Sequence, residues 1–211
     1  MVVRNDIKEF ISTIPKSVTL VAATKYVDSS TMIDLFRAGI TNFGENRVDS
    51  FLRKHNELYG YDISWHFIGH LQRNKASKVI NMIDCLHSLD SLSLAALIDK
   101  NRTTPLNCFI EVSINGEESK NGVPLNRVKD FITSCLKYKN VNIIGLMMMA
   151  IADSSSESLH NQLAQLRLLR DQLQKELNIP LPYLSMGMSE DYQIAIEEGA
   201  THIRLGRILF K

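Results

Sequence analysis

With 211 residues, 45% of them hydrophobic and 22% charged, the chain has the length of one domain or two small ones and the composition of a soluble globular protein. A formal net charge of +1 supplies no long-range field for nucleic acid or an anionic membrane, and no basic block is interleaved with aromatic residues. Cys85, Cys108 and Cys135 form no CxxC or metal-spaced pair, which fits small core residues of a reduced, cytoplasmic protein.

The N-terminus, MVVRNDIKEFISTIP, is amphipathic and carries Asp6 and Glu9 where a leader needs an apolar stretch, so no export leader is expected; no run is long enough to cross a bilayer. A first helix is predicted over about 3–13. Short apolar runs then alternate with amphipathic segments to the end of the chain. The predicted strands are VTLVAA (18–23), NFG (42–44), SWHFIG (64–69), CLHS (85–88), NCFIEVSI (107–114), NIIGLMM (142–148), PYLSM (182–186) and HIRLG (202–206). Ser29 or Ser30 caps a predicted helix carrying Met32, Ile33, Leu35 and Phe36, and another runs through Val48, Phe51 and Leu52. Further helices are predicted from near Gln72, Ser91, Pro124, Ser154 and Glu190. Over 154–177, Leu159, Leu163, Leu166, Leu169, Leu173 and Leu177 recur at three and four residues before Asn178 and Pro180, a stripe that reads as a face packed on a core.

Strands alternating with helices imply right-handed crossovers and a parallel sheet. Eight such units, with no Gly-rich dinucleotide fingerprint after the first strand, predict an α/β fold of the closed (β/α)8 TIM-barrel type, as a single domain over 1–211 with an extra N-terminal helix. The ends of the strands then define the working face. Lys25 follows the first strand, Gly44-Glu45-Asn46-Arg47 the second, and Gly69-His70 the third. Asn115 and the loop GEESKNG follow the fifth, Met147 to Met149 the sixth, SMGMS the seventh and Arg204-Leu205-Gly206-Arg207 the eighth.

Lys25 ends an apolar strand. Low-dielectric walls around an amine favour its neutral form, which is the form that attacks a carbonyl; the alternative is a lysine snorkelling to solvent or paired with Glu45. In LSMGMSEDYQIAIEEG (184–199), Ser189 is the expected N-cap of a helix with Glu190 and Asp191 in its first turn. Exposed N–H groups, hydroxyls and a glycine there suit a phosphate, or serve only the helix. The neighbouring loop at Gly206 strengthens the phosphate reading, because phosphate sites in such barrels commonly use the last two strand ends. Arg204 either faces the barrel interior or forms a surface ion pair. His66 and His70 are spaced for a metal on a helix, but FIG between them reads as strand and turn, so no metal is expected. The three consecutive methionines read as soft packing.

VAATKY, FGENRV, WHFIGHLQRNK, GEESKNG, GLMMMA, LSMGMSEDYQIAIEEG and IRLGRILF, in this order from about residue 18 to 210, resemble the pyridoxal 5′-phosphate homeostasis proteins, the YggS or PROSC family. The resemblance implies a barrel like the N-terminal domain of alanine racemase, with pyridoxal 5′-phosphate (PLP) at its C-terminal face. It makes Lys25 the Schiff-base lysine and puts Asn46 near the cofactor ring. Ser185, Gly187, Ser189, Gly206 and Arg207 are then expected around the phosphate, and Arg204 at the pyridine nitrogen, where an arginine leaves the ring a weak electron sink. Two positions depart from the family pattern: Met148 stands where many members carry threonine, and Val27 where some carry a second lysine.

The function this implies is non-enzymatic PLP binding in vitamin B6 homeostasis, by a monomer that hands PLP to PLP-dependent enzymes, with Lys120 a candidate secondary acceptor. The competing reading is a racemase of the alanine type. It needs an acid–base tyrosine on the far face of the cofactor, supplied in that family by a second domain that this chain is read as lacking, and Tyr26 is expected to point away from Lys25 by strand alternation. A Schiff-base aldolase acting on a sugar phosphate is a further alternative.

Overall fold

The run of β-branched and small residues after Pro15 forms the first strand, β1 (Thr19–Ala23), and its pattern of short apolar runs repeats around a closed ring. The computed structural model describes residues 1–114 and 121–211. The other strands are β2 (Asn42–Glu45), β3 (Ser64–Phe67), β4 (Cys85–Leu89), β5 (Leu106–Ser113), β6 (Val123–Pro124), β7 (Val141–Met147), β8 (Tyr183–Ser185) and β9 (His202–Leu205). The helices are α1 (Ile7–Ser12), α2 (Ser29–Arg37), α3 (Val48–Glu57), α4 (Arg73–Ala76), α5 (Leu92–Asn101), α6 (Val128–Cys135), α7 (Ser156–Leu177) and α8 (Tyr192–Glu197).

Strands pair in the order β4-β3-β2-β1-β9-β8-β7-β5, and β4 pairs with β5 to close the barrel. The eight barrel strands are all parallel, as the alternation with helices requires, and the two-residue β6 runs beside the end of β5 with Val112 opposite Val123. The candidate loop GEESKNG lies largely outside the described residues, and with it Asn115 and Lys120.

Two buried layers follow from strand alternation. Strand residues facing the helices, among them Phe43, Phe67, Leu86, Ile110, Leu146 and Ile203, form the large aliphatic and aromatic shell with helix residues such as Phe51. Truncating one of its phenylalanines to alanine costs about 3–5 kcal/mol. The lumen is different: Cys85, Phe109 and Met147 form a small apolar cluster there, and the rings of His87 and His202 pack on Phe109 at 4.6 and 5.1 Å.

The long leucine-striped helix is present as α7. Ser155 caps it by accepting the Ser158 N–H, Leu163, Leu166 and Leu173 are buried, and Asn178 ends it in the left-handed conformation at φ 51°. The first helix is shorter than predicted, because Val3 pairs antiparallel with Phe210 and Arg4 donates its N–H to the Leu209 carbonyl. Those pairings hold residues 2–4 extended. No described helix is long and apolar enough to cross a membrane.

Candidate functional site

The strand ends converge on a cavity of about 560 Å³. Of the residues singled out in the sequence, Lys25, Ser189, Arg204, Gly206 and Arg207 line it, together with Tyr26, Asp191 and residues 150–154 of the loop after β7. Asn46, Ser185 and Gly187 lie behind this lining.

Lys25 sits in a turn just beyond β1, where the Val27 N–H donates to the Thr24 carbonyl at 3.1 Å. Its side chain is exposed rather than enclosed by apolar walls, with Nζ 4.7 Å from the centre of the Tyr26 ring. Strand alternation stops at this turn, so Tyr26 does not point away as expected and borders the same cavity. Nor does Lys25 pair with Glu45. That carboxylate is fully buried outside the barrel wall, where it accepts from Lys54 Nζ at 2.5 Å and from the Thr24 hydroxyl at 2.6 Å. Asn46, next along the chain, is held beneath Gly69, where a Cβ would come within 2.5 Å of the Asn46 carbonyl; Asn46 Oδ1 is buried without a hydrogen-bond partner among the described residues.

From β9, the strand next to β1, Arg204 reaches inward and is buried. Its Nη1 donates to Ser185 Oγ at 2.6 Å and its Nη2 to the Met148 carbonyl at 2.9 Å. The contribution from β7 is therefore a main-chain oxygen, available whichever side chain occupies position 148. No carboxylate among the described residues lies within ion-pair distance of Arg204; burial lowers its pKa to about 10, opposed by the more distant charges of Asp191 and Glu111. The guanidinium stays charged at neutral pH. Two of its five donors have protein partners among the described residues.

Ser185 does not face the cavity. Because Arg204 only donates, Ser185 Oγ accepts from it and donates its own O–H to His87 Nδ1, 2.8 Å away. His87 then donates from Nε2 to His66 Nδ1 at 2.9 Å, and His66 donates from Nε2 to Asn42 Oδ1 at 3.1 Å. This chain assigns one neutral tautomer to each histidine. Desolvation acts in the same sense, pushing His87 well below the usual histidine range and His66 to about 3. The sequence reading missed His87. A signal was present in CLHSL, whose alternation puts Cys85 and His87 on one face and Leu86 and Ser88 on the other. His66, Cys85 and His87 are close enough to surround an ion, but each imidazole nitrogen already has a hydrogen-bond partner.

The loop after β8 also differs from expectation. Asp191, not Ser189, is the N-cap of α8, and its Oδ1 accepts the Met188 N–H at 2.6 Å. Ser189 instead crosses to the neighbouring loop, where its Oγ accepts from the N–H groups of Gly206 and Ile208 at 3.3 and 3.4 Å. The site's convergent amides thus come from the segment after β9. Gly187 has φ +94°, and a Cβ there would meet that of Ala195 at 2.6 Å, so this turn needs glycine. Arg207 is largely exposed and paired with Glu190 at 2.6 Å.

The chain matches the alanine racemase N-terminal domain family over residues 3–211. It is 40% identical over 194 residues to the pyridoxal phosphate homeostasis protein of Aquifex aeolicus, covering 90% of this chain and 85% of that one. It is 38% identical over 201 residues to the protein of that name from Schizosaccharomyces pombe, at 92% and 84% coverage. Among solved structures, PipY of Synechococcus elongatus with PLP bound superposes with a TM-score of 0.90 at 32% identity, covering 97% of this chain and all of that one. The alanine racemase of Clostridium difficile, at 14% identity and a TM-score of 0.78, shares the fold over 57% of its own length. The chain belongs to the pyridoxal phosphate homeostasis proteins, within the alanine racemase N-terminal domain family.

Proposed function

We propose that this protein binds PLP as a Schiff base on Lys25 and serves intracellular vitamin B6 homeostasis, holding the cofactor without turning it over. The observation that carries the reading is the buried charge of Arg204, which faces a cavity with two donors committed to neutral protein groups and no carboxylate partner among the described residues. A cation buried in this way is costly unless a ligand supplies acceptors.

The residues fit the cofactor from end to end. The Ser189 O–H suits the phosphate, the Gly206 and Ile208 N–H groups suit it once they turn from their long bonds of 3.3 and 3.4 Å to Ser189 Oγ, and Gly187 shapes the turn that carries Ser189. Arg207 can join them at small cost, since its exposed pair with Glu190 is worth little. Arg204 suits the ring nitrogen, where a guanidinium that only donates leaves that nitrogen unprotonated. Ser185 holds Arg204 from behind. Asn46 Oδ1, buried and without a hydrogen-bond partner among the described residues, is an uncommitted acceptor, although Asn46 does not itself line the cavity. PLP supplies an electrophilic aldehyde, and Lys25 supplies the amine that captures it.

A racemase needs acid–base groups on both faces of the ring. Tyr26 borders the cavity but packs against the Lys25 ammonium itself, which puts the two on one side. This supports binding over turnover. We further place the protein in the cytoplasm as a monomer, with PLP-dependent enzymes as recipients; its three cysteines are buried thiols in keeping with a reducing compartment.

The test is spectroscopic. Purified protein given PLP acquires a visible absorption band that borohydride fixes, and the holo protein turns over amino acids no faster than free PLP does. A protein that stays colourless refutes the binding reading, and racemisation well above the free-cofactor rate refutes the non-enzymatic one.

A further inference from the structure

Lys54 is a lysine in the last turn of α3 whose side chain is 1% exposed, paired with a glutamate that is 0% exposed. Burying such a pair costs several kcal/mol per ion before their attraction is counted, and apolar residues of similar size commonly do as well. The pair therefore needs a reason beyond stability. Its second contact points to one: Lys54 Nζ also donates to the carbonyl of Thr24 at 2.6 Å.

That carbonyl closes the turn on which Lys25 stands. It accepts the Val27 N–H at 3.1 Å and the Lys54 ammonium, so both of its lone pairs are used. The rest of Thr24 is tied as firmly. Its N–H donates to the Gly44 carbonyl at 3.1 Å and its hydroxyl to Glu45 Oε1 at 2.6 Å. Thr24 is thus fixed on the outer side of the barrel wall by β2 and α3, and the turn that follows presents Lys25 and Tyr26 at the cavity. The other Glu45 oxygen, Oε2, is buried with no hydrogen-bond partner among the described residues, so this carboxylate is kept despite incomplete satisfaction there.

We propose that Glu45 and Lys54 are positioning residues for Lys25: the buried pair clamps the Thr24 carbonyl and so sets where the lysine nitrogen meets an aldehyde. The inference rests on the PLP reading above. In the step it would serve, the neutral Lys25 amine would form a C=N bond to the aldehyde carbon in place of its C=O bond, giving up both of its N–H hydrogens to the oxygen, which would leave as water. The clamp touches none of the groups suited to the phosphate or the ring nitrogen, which stand on the loops after β8 and β9 and on Arg204. It therefore governs bond formation and not cofactor affinity at large.

Two ligands separate these effects in the full chain. PLP has the aldehyde; pyridoxamine 5′-phosphate shares the phosphate and the ring and lacks it. In Lys54→Met, the rate of the borohydride-fixable band with PLP falls roughly 10- to 100-fold, as misplacement of a reacting group by about 1 Å predicts, while the Kd for pyridoxamine 5′-phosphate stays within about twofold. The double variant Glu45→Met with Lys54→Met removes both charges, keeps the fold and shows the same split, which covers the case in which the single variant does not fold. Equal losses for both ligands, or an unchanged rate in the double variant, overturn the clamp while leaving PLP binding by the parent protein intact. A parent protein that forms no band with PLP overturns the functional reading and the clamp with it.

Discussion

Lys54 and Arg204 are both buried cations, yet Lys54 lies outside the barrel wall against a carboxylate and Arg204 lies in the lumen against a hydroxyl and a main-chain carbonyl. The first is neutralised within the protein. The second keeps donors in reserve beside a cavity. Nearly the same burial thus serves two ends: a paired charge fixes backbone, and an unpaired one waits for a ligand's acceptors.

The contrast breaks most visibly at Lys54. Lys54→Met alone leaves the Glu45 carboxylate buried without its cation, and an expected loss of about 3–5 kcal/mol is read from urea unfolding. Replacing Glu45 by Met as well restores stability to within about 1.5 kcal/mol of the parent, because two apolar side chains need no pairing. Arg204→Gln leaves no charge to neutralise. Its main effect is therefore on the ligand, with PLP affinity reduced roughly 10- to 100-fold in an equilibrium titration, the scale of one lost hydrogen bond from a charged donor. An Arg204→Gln protein that binds PLP as the parent does contradicts the role assigned to the lumen.

The histidines behind Arg204 give a pH test. His66 titrates near 3 in the folded protein, chiefly through desolvation, against about 6.5 when unfolded. Between those values the unfolded chain binds more protons, so the stability is fully present above pH 6.5 and is lost as the pH falls toward 3. The expected slope from this residue is about 1.4 kcal/mol per pH unit, and His66→Phe flattens the dependence of the urea midpoint over that window. The smallest effect is at His87. His87→Phe preserves the packing on Phe109 and removes the acceptor for Ser185, so PLP binds up to about tenfold more weakly with a shifted absorption spectrum, and His87→Asn recovers part of the loss.

Much of this was legible because barrel strands carry a simple code. The strand ends gathered Lys25, Ser189, Gly206 and Arg207 on one cavity, whereas the residues alone left Arg204 open between the barrel interior and a surface ion pair, and only the family resemblance pointed it inward. Alternation fails where the backbone turns, which is why Tyr26 was misplaced: the strand ends at Ala23, two residues before Lys25, and the hydrogen bond from Val27 to Thr24 closes a turn. The N-cap of α8 was misassigned for a different reason. Ser189 and Asp191 are both good caps, and only the approach of the Gly206 and Ile208 amides shows that the serine is used elsewhere. Lys54 was not singled out in the sequence. Its place three residues after Phe51 and four before Leu58 puts it on the buried stripe, but a lysine there is readable as buried only once a carboxylate is known to face it.

Lys25 is the residue on which the account turns. Borohydride reduction of the protein with PLP, followed by peptide mass spectrometry, locates the trapped adduct directly. The account predicts one pyridoxyl group on Lys25 and its loss, together with the visible band, in Lys25→Ala. An adduct on another lysine, or a visible band that survives the substitution, contradicts it.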